Sequence, residues 1–138
     1  MTAKDQLRQI QLIKYEIQAL EDDLLEIDTK LTRITPVLSD MPGGHGNNDK
    51  MVDGISDLIE VKKALQGRIN ALCRVRRECE VIISRMENTT YRTILHERYF
   101  NGRSLEYIAD TLHYSYYHAC KLHGWALAEY DKMTSNDN

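Results

Sequence analysis

The stretch Ile10-Gln11-Leu12-Ile13-Lys14-Tyr15-Glu16-Ile17-Gln18-Ala19-Leu20-Glu21-Asp22-Asp23-Leu24-Leu25-Glu26-Ile27-Asp28-Thr29-Lys30-Leu31-Thr32-Arg33-Ile34 decides the fold. Its recurring apolar positions are Ile10, Ile13, Ile17, Leu20, Leu24, Ile27, Leu31 and Ile34. The steps alternate three and four without a break, which is the 3.5-residue period of a coiled-coil seam. The other faces carry Glu16, Glu21, Asp22, Asp23, Glu26 and Asp28, a solvated acidic surface. Residues 35–49 then hold both prolines and three of the seven glycines. Pro36 disfavours helix at Thr35, and glycine adds chain entropy, so a flexible loop is expected at about 35–49.

A second seam follows at Ile55, Leu58, Lys62, Leu65, Ile69, Leu72, Arg76, Cys79, Ile83 and Met86. Lys62 and Arg76 interrupt it, while Val61, Val75 and Ile82 flank it and widen the apolar stripe. An apolar seam needs a partner in water, so the two helices are expected to pair as a long antiparallel, coiled-coil-like hairpin over residues 1–87. The second helix is expected to be the longer, leaving part of its seam for a second chain and hence a homodimer. Ile10, Ile17, Leu24, Leu31, Ile55, Leu65 and Leu72 are the residues expected to build this hairpin or dimer seam. An intramolecular hairpin and a swapped dimer bury the same residues, so the pattern leaves both open.

Residues 88–138 differ in kind. Of ten aromatics (eight Tyr, one Trp, one Phe), only Tyr15 precedes residue 91. Asn88 or Thr89 can cap a helix holding Tyr91, Ile94, Leu95, Arg98 and Tyr99. Asn101-Gly102 is a stop and turn signal. Ser104 offers the next cap, with Glu106 in the first turn near the positive helix end. A short helix then places Leu105, Ile108, Ala109 and Leu112 on one face. After His113-Tyr114, Ser115 caps a last helix running from Tyr116 to about Met133, with Ala119, Leu122, Ala126, Leu127 and Tyr130 facing inward. Trp125 is expected at the rim of this small core or facing the hairpin. A short helix, a tight turn and a longer helix are the plan of a helix–turn–helix, with the small Ala109 allowing close approach. The expected class is therefore all-α.

The segment Tyr91-Arg92-Thr93-Ile94-Leu95-His96-Glu97-Arg98-Tyr99-Phe100-Asn101-Gly102-Arg103-Ser104-Leu105-Glu106-Tyr107-Ile108-Ala109 resembles the start of a sigma-factor region-4-type module. Tyr114-Ser115 and Leu122-His123 with Ala126-Leu127 resemble its second half. With Ser39-Asp40-Met41-Pro42 joining two long helices, nearly the full chain is similar to phage and prophage regulators of Gram-positive bacteria related to the ArpU and RinA late-transcription activators. The resemblance implies binding of double-stranded DNA, late-gene activation, and host RNA polymerase or another host protein as a further partner. Carried onto this chain, it places DNA contacts at Arg103, Ser115, Tyr116, Tyr117, His118 and Lys121. Members of that family tend to carry arginine where this chain has Tyr116 and Tyr117.

Charge sharpens this expectation. The net charge of −3 divides into −4 over residues 1–49, +2 over 50–87 and −1 over 88–138. A DNA-binding surface is normally basic, and the densest basic group is Arg74, Arg76, Arg77 and Arg85, just before the module. It is a candidate flanking patch for the DNA backbone, or a counterweight to the acidic first helix. Tyrosines can contact phosphates through hydroxyls, and they are equally enriched at protein interfaces. The alternative expectation is thus a phage interaction module that binds and inhibits or redirects a host protein through its Tyr-rich last helix.

The chain excludes several other classes. No apolar run is long enough for a bilayer, and no secretory-type segment opens the chain, so a cytoplasmic location in a host bacterium is expected. Three cysteines, Cys73, Cys79 and Cys120, are expected as reduced thiols. Gly43-Gly44-His45-Gly46 lacks the Lys and Ser/Thr of a phosphate-binding loop. Cys120, His113, His118 and His123 spread around a helix instead of converging, so neither a metal nor a cofactor is expected. No arrangement of residues supports an enzyme.

Overall fold

The structure, a computed structural model, describes residues 2–40 and 47–136, with side chains for 2–34 and 50–135. It is all-helical, with no strand among the described residues. Helix α1 spans Ala3–Asp40 and α2 spans Asn47–Ser84. Helix α3, Thr89–Leu95, runs on into a π-helical turn, His96–Phe100. Helix α4 is Leu105–Leu112 and α5 is Tyr116–Asn136.

Two expectations are corrected. The flexible loop expected at 35–49 is helical at 35–40 and 47–49, and the rest of it, 41–46, lies outside the described residues. A proline removes one backbone donor and biases its predecessor away from helix, but neither effect forbids a helix whose remaining bonds are intact. The second helix is also not the longer: α1 and α2 each have 38 residues. The inequality of length from which a dimer was expected is therefore not found.

The chain divides into two compact units, Glu16–Cys73 and the remainder, Met1–Tyr15 with Arg74–Asn138. This differs from a division at residue 87, because each long helix contributes to both units. Within Glu16–Cys73 the two helices run in opposite directions. The guanidinium of Arg68 donates to Glu16, with Nη2 at 3.0 Å, and Lys62 Nζ lies 2.7 Å from Asp28. Lys62 thus leaves the seam at its edge and pairs there. Ile17, Ile27, Ile69 and Leu72 are buried in this unit, while Leu24, Leu31, Ile55 and Leu65 are half-buried. Val61, expected to widen the stripe, is exposed, as is Val75 in the other unit.

The other unit gathers the start of α1, the end of α2 and helices α3 to α5. The α1 seam begins earlier than Ile10, since Ala3 and Leu7 are buried with Ile10 and Ile13. Thr2 and Asp5 exchange hydrogen bonds in a reciprocal cap, and these bonds hold the Asp5 carboxyl below its ordinary pKa. Ala3 N donates to Asp131 Oδ1 at 2.9 Å, fastening this end of α1 to α5. Ile94, Ile108 and Leu122 form a core from α3, α4 and α5, flanked by half-buried Tyr91, Leu105 and Leu112.

The expected caps form as the sequence indicates. Asn88 Oδ1 accepts from Tyr91 N at 3.1 Å, and Ser104 Oγ accepts from Tyr107 N at 3.1 Å. Such caps are each worth about 1 kcal/mol. Gly102 takes the left-handed conformation, φ 69°, that ends the π turn without a Cβ clash.

Candidate nucleic-acid interface

The surface singled out from the sequence lies on α4, the turn and the start of α5. The turn is set by His113, whose φ of 62° is left-handed. Its N–H and that of Tyr114 fold back onto the last carbonyls of α4, with Tyr114 N at 2.9 Å from Ala109 O. This return closes α4 as a left-handed cap and redirects the chain within two residues. Ser115 Oγ then accepts from His118 N at 3.1 Å and starts α5. Ala109 and Ala119, the small residues of α4 and α5, are both buried.

Burying that side of α5 turns the other side outward. Ser115, Tyr116, Tyr117, His118 and Lys121 are all exposed, Tyr117 at 69%. Lys121 Nζ lies 4.7 Å from the centre of the Tyr117 ring, and the Arg103 guanidinium lies 4.8 Å from that of Tyr107. The Tyr114 ring meets His118 edge-on at 5.0 Å. Two cations thus each rest on a tyrosine face, an attraction worth about 0.5–1 kcal/mol when exposed. A hydrogen bond with Cys120 raises the Tyr116 pKa, so its phenol stays neutral and can donate. Trp125 is half exposed.

The remaining arginines of residues 88–138 have other work. Arg92 donates to the Met86 and Glu87 carbonyls and to Thr89 Oγ1, closing the end of α2 onto the start of α3. Arg98 donates to the Arg103 carbonyl at 3.1 Å, holding the turn before α4. Neither role is visible in the sequence, because no residue pattern marks a backbone carbonyl as a partner. Arg103, just before α4, and Lys121, on α5, are exposed.

The four arginines of the flanking patch are not one group. Arg76 lies 3.8 Å from Glu80 and 5.6 Å from the centre of the Phe100 ring. Arg74, Arg77 and Arg85 instead line a 410 Å³ depression with Glu78, Val81 and Ile82. Helical geometry explains the separation: residues 74, 77, 81 and 85 fall on one stripe of α2 and Arg76 on its opposite side.

Behind α5, Tyr99 Oη and His123 Nε2 share a hydrogen bond of 2.7 Å. Burial, then Arg98 and Lys4, push the His123 pKa down to about 4. An unfolded histidine titrates near 6.5. Between about 6.5 and about 4 the unfolded chain therefore binds more protons than the folded one, and stability falls as pH falls through that window. Thermal melts across it are expected to show this decline, and His123→Gln to flatten it. Among the described residues no three His, Cys, Asp or Glu side chains form a group able to hold a metal ion, and no helix is long and apolar enough to cross a membrane. No protein-family model, curated protein or solved structure matches the chain.

Proposed function

We propose that the chain is a DNA-binding transcription regulator of the phage type that its sequence resembles, with double-stranded DNA as its ligand. In this reading α1 and α2 form an antiparallel hairpin, and α4, the His113-Tyr114 turn and α5 form a helix–turn–helix with α5 as the recognition helix. One observation carries it: past a tight turn, the start of α5 holds Tyr116, Tyr117, His118 and Lys121 exposed on one side while Ala119 and Leu122 are buried on the other. Recognition helices read DNA with their N-terminal residues, where the helix end is also positive. Arg103 and Lys121 supply phosphate attraction, and the tyrosine hydroxyls supply neutral phosphate contacts.

Fluorescence anisotropy with duplex DNA at several salt concentrations tests this. Lys121→Ala is expected to weaken binding about fivefold to tenfold and to lower the salt slope by about one unit; Arg103→Ala should act in the same direction. Loss of duplex binding at low salt, in the wild-type chain, would sink the reading.

A second reading has its own support. Tyr107, Tyr114, Tyr116 and Tyr117 are exposed with only two cations between them. Such a surface suits a host protein, which the chain would inhibit or redirect. That reading predicts a stoichiometric protein complex lost in Tyr117→Ala, with no retention on DNA.

A further inference from the structure

We infer that the depression lined by Arg74, Arg77 and Arg85 on α2 is the seat for the acidic outer face of α1 from a second copy of this chain, centred on Glu21, Asp22 and Leu25. The inference stands apart from the DNA-binding proposal and concerns another surface.

The chemistry of the depression favours protein over duplex. Its floor is apolar, made by Val81, which is 40% exposed, and Ile82. A phosphate backbone offers nothing to cover such a floor, whereas an amphipathic helix offers an apolar side chain between charges. The three arginines outnumber the one carboxylate that lines the depression with them, Glu78. Among the described residues none of them forms an ion pair, whereas Arg76, on the opposite side of α2, is matched with Glu80.

The complementary surface is on the same chain. Leu25 is 67% exposed on the side of α1 away from the seam, and Glu21 and Asp22 precede it by one turn. Neither acid is in an ion pair among the described residues, whereas Glu26 is matched with Lys30 and Asp28 with Lys62. Leu25 would lie on Val81 and Ile82, with Glu21 and Asp22 against the arginines. The faces are complementary in charge, two acids on one copy against three arginines and one glutamate on the other, although each chain is −3 overall. Each copy carries both faces, so the contact is one that two copies can make with each other.

Sedimentation equilibrium of the full chain provides the test. The wild type is expected to reach twice the 16.0 kDa chain mass and to dissociate as salt rises. Arg77→Glu with Arg85→Glu is expected to weaken self-association about tenfold or more, and Glu21→Lys with Asp22→Lys to do the same. Mixing the two charge-reversed chains restores both contacts and should return the dimer mass, which a misfolded variant would not do. A wild type that stays at 16.0 kDa, or charge-reversed chains that do not recover on mixing, overturns the inference. So does a doubly substituted Arg77/Arg85 chain that keeps the wild-type mass and loses duplex affinity, because the arginines would then serve phosphate.

Discussion

Ile108→Ala is expected to destabilise the chain by about 3 kcal/mol, the typical cost of emptying a packed aliphatic site. Ile108 is 1% exposed and forms one core with Ile94 and Leu122. Each of the three comes from a different helix, so the side chain holds α4 against both α3 and α5. Truncation removes its transfer energy and leaves a cavity whose walls are these three helices and the flanking Tyr91, Leu105 and Leu112. Small domains have a total stability of about 5–15 kcal/mol, so a loss of this size is a large share. Urea unfolding followed by helix signal should show the midpoint falling with the slope unchanged. Leu12→Ala, at an exposed α1 position, is the matched control and should change the midpoint little.

Arg92→Ala is expected to cost about 2 kcal/mol for a different reason. The Arg92 guanidinium bonds the Met86 carbonyl, the Glu87 carbonyl and Thr89 Oγ1, so one side chain satisfies groups on both sides of the break between α2 and α3. Met86 is itself 2% exposed. Removing a charged donor from the part-buried Met86 carbonyl leaves its desolvation uncompensated, typically about 1–3 kcal/mol. Arg92→Lys should recover only part of this, because an ammonium lacks the planar fork that reaches three acceptors at once. Urea unfolding of the three chains side by side checks the order wild type, Lys, Ala.

These two residues show how unequally the fold could be read beforehand. Ile108 was legible: its place on an apolar face with Leu105, Ala109 and Leu112 follows from helical period alone. The caps at Asn88, Ser104 and Ser115 were legible for the same reason, since a cap is a local bond between a side chain and a backbone amide. Arg92 was not, because its partners are backbone carbonyls, which every residue has and no pattern marks. Pro36 misled, because proline's local bias was weighed against helix without the intact bonds on either side of it. The units Glu16–Cys73 and Met1–Tyr15 with Arg74–Asn138 were hidden too. Composition changes near residue 88, but packing depends on where Ala3 and Leu7 are buried, far away along the chain.

The candidate site divides in the same way. Exposure of Tyr116, Tyr117, His118 and Lys121 followed from placing Ala119 and Leu122 inward. The resting of Lys121 on Tyr117 follows from their spacing of four, which puts both on one face of α5. The separation of Arg76 from Arg74, Arg77 and Arg85 was available from helical spacing, but a run of like charges invites reading as one patch. Its pairing with Glu80 is again a spacing of four.

The central claim is that the start of α5 and the turn before it meet DNA. Amide chemical-shift mapping of the full chain during titration with duplex DNA tests it most directly, because it locates the contact without any substitution. The account predicts salt-sensitive shifts concentrated at Arg103 and across Ser115 to Lys121, with the Glu16–Cys73 unit unaffected. A titration that moves no amide at low salt, or moves only amides away from α4, the turn and α5, would contradict it.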